Sequence, residues 1–93
     1  DVRPDSETFG KVETFILDNT SEDSTPKALF LPKGVGNSTC VMGDEAVDYI
    51  YLVDEYWDDK KAKGIAWDDP DLKIDWPVKN PILSKRDKLG HYV

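Results

Sequence analysis

The fold of this chain is decided by the stretch Ala46-Val47-Asp48-Tyr49-Ile50-Tyr51-Leu52-Val53-Asp54-Glu55-Tyr56-Trp57. It is rich in β-branched and aromatic residues, contains neither Gly nor Pro, and is longer than a turn, so we expect a β-strand. Alternate side chains of a strand point to opposite faces, and here both faces carry large apolar groups. Such a strand must be covered on both sides, as in a sandwich, a barrel or a subunit interface. Asp48, Asp54 and the Tyr56 hydroxyl share one face, which favours a wet pocket that holds a ligand.

Shorter apolar segments precede this stretch at regular spacing. We predict that they are strands, and they cover residues 11–17, 28–31 and 38–42. Residues 43–45 are a hairpin signal leading into the central stretch. Short strands at this spacing are typical of an all-β sandwich or barrel. After Trp57 the chain becomes more polar, and we expect short helical turns at residues 58–63 and 84–89, with an extended segment at residues 74–78.

Composition indicates one small domain spanning residues 1–93, because the chain is 39% hydrophobic and 33% charged. A formal net charge of −7 argues against a nucleic acid or an anionic membrane as partner. The single cysteine, Cys40, excludes an internal disulfide and is compatible with the cytoplasm. No apolar run is long enough to span a bilayer. The chain starts without Met, which indicates either a fragment or a trimmed start.

Several short motifs carry a family resemblance when they are taken in chain order. They are Asp1-Val2-Arg3-Pro4-Asp5-Ser6 with Thr8-Phe9-Gly10, Leu31-Pro32-Lys33-Gly34, Asp44-Glu45-Ala46, Gly64-Ile65-Ala66-Trp67-Asp68-Asp69-Pro70, Ile74-Asp75-Trp76-Pro77 and Ile82-Leu83-Ser84-Lys85-Arg86-Asp87. Together they resemble the C-terminal half of the dTDP-4-dehydrorhamnose 3,5-epimerases, which are metal-free cupins. The resemblance implies a jelly-roll (cupin-like) β-barrel, truncated at its N-terminus, that forms a homodimer. It also implies a dTDP-sugar or related nucleotide-sugar as ligand.

The chain departs from this family where the chemistry takes place. The family's catalytic histidine and a nearby lysine lie upstream of the matched stretch. The family's second histidine position is occupied by Asn37, and the tyrosine that acts as acid falls on Ile50. Two family positions are retained, namely Tyr56 and Asp87, the latter of which orients the catalytic histidine in the family. The predicted site therefore has Tyr56 and Asp87 as catalytic positions and Asn37, Ile50 and Trp57 as substrate-binding positions.

Epimerisation beside a ketone requires a base, an acid on the opposite face and stabilisation of the enolate oxygen. The single histidine, His91, lies near the C-terminus, where we expect a frayed tail. The sequence therefore favours a non-catalytic sugar-nucleotide-binding or interaction module. Two alternatives stay open: a dTDP-sugar 3,5-epimerase whose catalytic half lies upstream or on a partner chain, and a structural dimerisation domain.

Other chemistry is poorly supported by the sequence. One histidine cannot form the multi-histidine metal site of a cupin, and the carboxylates of residues 68–75 lack the spacing of a calcium loop. We predict neither a metal nor a cofactor. Tyr56 and Trp57 are suited either to stacking on a base or to a sheet core. We expect Trp67 and Trp76 to be buried in a rigid loop that closes one end of the barrel.

Overall fold

A computed structural model describes residues 1–18 and 28–91. The regular elements in these ranges are a 3₁₀-helix, Asp87–Leu89, and an isolated parallel bridge between Ile65 and His91. The helix lies within the segment where the sequence predicts a short terminal helix. Residues 50–57 make no backbone–backbone hydrogen bond to other described residues. The all-β jelly roll therefore stays a prediction.

Two compact units are defined by the backbone contacts, residues 1–37 and residues 38–93. Each unit is held together by contacts of its own, and the prediction of a single domain over residues 1–93 stays a prediction. None of the helices in the described ranges has the length and apolar character needed to cross a membrane.

The first unit is organised around the carboxylate of Asp1, whose side chain is only 8% exposed. It pairs with the Arg3 guanidinium, with Nε and Nη2 each 2.9 Å from a carboxylate oxygen. The hydroxyl of Ser6 donates to the same carboxylate at 2.6 Å, and Thr8 also donates to it. A turn makes this possible, because the Ser6 amide donates to the Arg3 carbonyl at 3.0 Å. Bidentate and charge-assisted bonds of this kind are the strong ones, so the first motif is a closed polar loop.

Gly34 packs against that loop, and only glycine fits there. Its φ is +87°, and a Cβ atom would lie 2.5 Å from Cγ of Arg3. The Gly34 carbonyl accepts a hydrogen bond from the Val2 amide at 3.3 Å. The sequence Leu31-Pro32-Lys33-Gly34 thus supplies a left-handed turn residue where the backbone lies against the Arg3 side chain.

The second unit has its best-packed part around Ala66 and Asp69, which are 5% and 2% exposed. The Asp69 carboxylate accepts hydrogen bonds from the amides of Asp71 and Leu72, at 2.8 and 3.1 Å. Asp is suited to this role because its short side chain reaches the amides two and three residues further on. Burial of the carboxylate is thereby compensated by hydrogen bonds, as a buried polar group requires.

Candidate functional site

An open cleft of about 500 Å³ lies in the second unit, between residues 62–64 on one side and residues 85–86 and 89–91 on the other. Its two walls are joined by the parallel bridge. The amide of Ala66 donates to the His91 carbonyl at 2.7 Å, and the amide of His91 donates to the Gly64 carbonyl at 3.0 Å. Segments distant in sequence are therefore held side by side, with the cleft between them.

Gly90 is what allows the walls to approach so closely. A Cβ atom on this residue would lie 2.5 Å from the Ile65 carbonyl oxygen and 2.6 Å from the backbone of Ala66. These are backbone atoms, which cannot move aside as the end of a flexible side chain can. The bridge and the cleft therefore both depend on glycine at this position.

The cleft has a positive character that contrasts with the whole chain. Its lining residues include the cationic Lys63, Lys85 and Arg86, together with His91, whereas the chain carries a formal net charge of −7. Clustered cations raise the local potential of a concave surface and attract anions. Lysine and arginine are also the residues that bind phosphate oxygens through charge-assisted hydrogen bonds. The geometry is therefore suited to a phosphate or diphosphate group.

Arg86 connects this cleft to the aromatic end of the central stretch. Its guanidinium carbon lies 4.6 Å from the centroid of the Trp57 ring, which is a cation–π arrangement. Trp57 is 66% exposed and lines a second open depression together with Val53 and Tyr56. A flat aromatic surface thus lies beside a cationic cleft.

Asp87, a predicted catalytic position, holds the backbone beside the cleft. The Ser84 hydroxyl donates to its carboxylate at 2.7 Å, and the Asp87 amide donates back to the Ser84 oxygen at 3.1 Å. This reciprocal pair fixes the turn that carries Lys85 and Arg86. Asp87 is therefore a positioning residue here, and its hydrogen-bond partner is Ser84.

The remaining predicted positions are not gathered at the cleft. The side chain of Tyr56 is fully exposed, and that of Ile50 is 86% exposed. No hydrogen bond or ring contact joins Tyr56 to Asp87 within the described residues. Asn37 belongs to the first unit. Of the predicted site, the structure brings together Trp57 and the turn that contains Asp87.

Sequence reasoning missed the role of Lys63 and Lys85 as cleft residues, and it took His91 for a frayed tail. That expectation for His91 is wrong, because both its amide and its carbonyl are hydrogen-bonded in the bridge. A usable signal was present in the basic run Lys85-Arg86. No sequence pattern indicated that residues 64 and 91 would be hydrogen-bonded, since an isolated bridge has no periodicity.

Metal ligation has no support in the described ranges. No group of three or more His, Cys, Asp or Glu side chains converges in residues 1–18 and 28–91.

Comparison with known proteins identifies the family. The family model described as dTDP-4-dehydrorhamnose 3,5-epimerase matches residues 1–93. The chain belongs to the dTDP-4-dehydrorhamnose 3,5-epimerase family. This confirms the resemblance on which the predicted site positions were based.

Individual members of the dTDP-4-dehydrorhamnose 3,5-epimerase family show how much of a relative is matched. The Shigella flexneri dTDP-4-dehydrorhamnose 3,5-epimerase is 36% identical over 90 residues, which are 97% of this chain and 47% of the relative. The Pseudomonas aeruginosa dTDP-4-dehydrorhamnose 3,5-epimerase is 31% identical, over 97% of this chain and 48% of the relative. The Streptomyces niveus dTDP-4-dehydrorhamnose 3-epimerase is 38% identical, over 95% of this chain and 40% of the relative. The chain thus spans about half the length of these relatives or less. No solved structure matches it significantly.

Proposed function

We propose that this chain binds a dTDP-linked deoxysugar and that the basic cleft holds the diphosphate. The observation that carries the proposal is the convergence of Lys63, Lys85, Arg86 and His91 on one concave surface of an acidic protein. A nucleoside diphosphate sugar carries its negative charge on the diphosphate, between the base and the sugar. The names of the relatives specify a dTDP-linked ketosugar, which has this group.

Trp57 offers the adjoining surface for the rest of the ligand. Trp57 is 66% exposed. The Arg86 guanidinium carbon lies over its ring, 4.6 Å from the ring centroid. An exposed, oriented indole can stack on thymine or on the apolar face of a sugar ring. A ligand whose diphosphate contacts Arg86 would therefore bring one of its rings to Trp57.

Binding without epimerisation is the function we assign to the chain acting alone. Enolisation requires a base and an acid held at the reacting carbon, together with donors to the enolate oxygen. Of the retained family positions, Tyr56 is fully exposed and Asp87 is engaged with Ser84. These two residues do not form an acid–base pair with each other.

A second candidate is an epimerase site completed by residues outside this chain. It is favoured by the match to 47% and 48% of the Shigella and Pseudomonas relatives, since the unmatched portion can supply a base. The homodimer expected from the sequence, and a purely structural dimer, stay predictions.

Calorimetric titration with dTDP, inorganic pyrophosphate and thymidine tests the binding proposal. We expect dTDP and pyrophosphate to bind and thymidine to bind far more weakly, because the cleft recognises the diphosphate. Loss of one charge-assisted hydrogen bond in Arg86→Ala should raise the Kd for dTDP by about tenfold or more. Lys88→Ala is the matched control, since Lys88 is in the same turn but does not line the cleft. Equal binding of thymidine and dTDP would refute the proposal.

A further inference from the structure

Arg86 links the two depressions of the second unit. It is a lining residue of the basic cleft, and its guanidinium carbon lies 4.6 Å from the centroid of the Trp57 ring, which lines the other depression. Arg86 is itself exposed to solvent. A long exposed arginine side chain has many accessible rotamers, and it loses that freedom when it binds an anion. A contact that already holds the guanidinium in place reduces this cost of binding.

The charge of Arg86 is available to a ligand. No ion pair between described residues involves Arg86, although Asp54 and Glu55 line the same depression as Trp57. The contact with Trp57 is a contact with a neutral ring, which leaves the positive charge uncancelled. The five N–H donors of a guanidinium lie in its plane. A guanidinium that rests one face on an aromatic ring can therefore still donate to phosphate oxygens from its edge.

We infer that Trp57 is a positioning residue of the anion site, acting through Arg86. The reciprocal hydrogen bonds between Ser84 and Asp87 fix the turn that carries Arg86, and the Trp57 ring holds the far end of the arginine side chain. Both ends of the arginine are thereby placed before a ligand arrives. The inference rests on the proposed function, and it adds that the indole strengthens the binding of an anion that has no ring to stack on it.

Inorganic pyrophosphate is the probe that isolates this role, because it has neither a base nor a sugar to contact the indole. In calorimetric titrations of the 93-residue chain, Trp57→Ala should raise the Kd for pyrophosphate by about two- to fivefold. This factor is the one expected for loss of a cation–π contact at an exposed position. Trp57→Phe keeps a ring and should give a Kd between those of Trp57→Ala and the unsubstituted chain.

Tyr51→Ala is the matched control. Tyr51 has the same exposed fraction as Trp57, 66%, and it belongs to the same stretch of sequence. Its ring centroid lies 5.6 Å from that of Tyr49, and Tyr51 is a lining residue of neither depression. The Kd for pyrophosphate should therefore be unchanged in Tyr51→Ala.

A double-mutant cycle tests whether Trp57 acts through Arg86. In the Arg86→Ala background, Trp57→Ala should change the Kd no further, because the guanidinium that the indole holds is absent. A merely structural role for Trp57 would instead raise the Kd by the same factor in both backgrounds.

The possible results separate this inference from the proposed function. If the unsubstituted chain binds pyrophosphate but Trp57→Ala leaves the Kd unchanged or lowers it, the inference is overturned and the proposed function stands. The inference is also overturned if Trp57→Ala has the same effect in the Arg86→Ala background, or if Tyr51→Ala weakens binding equally. Failure of the unsubstituted chain to bind pyrophosphate would refute the proposed function, and the inference with it.

Discussion

The indole N–H of Trp76 donates a hydrogen bond to the backbone carbonyl of Trp67, with 2.7 Å between the two atoms. Both rings are half-buried, and the bond closes the loop that contains the buried Asp69. The two tryptophans belong to the Trp-x-Asp-Pro and Ile-Asp-Trp-Pro motifs, so this contact gives the motif pair a structural reason for occurring together. A buried indole N–H needs a partner, and the loop supplies it from its own backbone.

Trp76→Ala should therefore lower the free energy of unfolding of the second unit by about 2–4 kcal/mol. This loss is smaller than that for truncating a fully buried aromatic side chain, because Trp76 is half-buried. Trp76→Phe retains most of the apolar area and should cost only about 1 kcal/mol, the value of the lost hydrogen bond. Urea unfolding followed by circular dichroism measures both. Trp57→Phe, at an exposed position, is the control. A loss below about 1 kcal/mol in Trp76→Ala would show that the ring does not stabilise the loop.

Gly90→Ala should disrupt the bridge between Ile65 and His91, because its Cβ would lie 2.5–2.6 Å from backbone atoms. We expect a loss of about 1–3 kcal/mol, as for other substitutions that force backbone shifts, and faster exchange of the Ala66 and His91 amides. Gly64→Ala is the matched control, since a Cβ there meets nothing within 4 Å. It should be neutral or slightly stabilising. Equal effects of the two substitutions would contradict the close approach seen at Gly90.

Family membership and local features such as turns could be predicted from the sequence, because short motifs determine both. Residues 84–89 were predicted to form a helical turn, and a 3₁₀-helix, Asp87–Leu89, lies there. The cleft could not be predicted, because it depends on the backbone hydrogen bonds of His91 with Ala66 and Gly64, which neither apolar periodicity nor local propensity encodes. The predicted strand at residues 46–57 also cannot be derived from local sequence alone, since a strand is stabilised by the residues that pack beside it.

Asp1→Asn should loosen the polar loop of the first unit. The amide retains one acceptor oxygen, but it loses the bidentate charge pair with Arg3. Removing a charged partner from a half-buried network costs about 1–3 kcal/mol. Exchange of the Gly10 amide, which donates to the Asp1 carbonyl at 2.8 Å, should accelerate accordingly. Asp5→Asn is the control, because Asp5 is exposed. If Asp5→Asn accelerated exchange of the Gly10 amide equally, loss of a negative charge, and not loss of the pair with Arg3, would explain the effect.

Solvent deuterium exchange at C3 and C5 of dTDP-4-keto-6-deoxyglucose, followed by NMR, tests whether the chain alone enolises the sugar. The assay detects proton abstraction even when no product accumulates. We expect exchange at the buffer rate, because Tyr56 is fully exposed and Asp87 is engaged with Ser84. One acid–base group contributes only about 10²–10⁴-fold, and only when it is positioned at the substrate. Tyr56→Phe and Tyr51→Phe form the matched pair, since both remove one exposed phenol from the same stretch. Exchange above the buffer rate that either substitution abolishes would contradict the non-catalytic assignment, and it would identify that tyrosine as the acid. A separate experiment tests whether residues outside this chain complete an epimerase site. If they do, adding the polypeptide that forms the unmatched portion of the Shigella relative should raise the exchange rate.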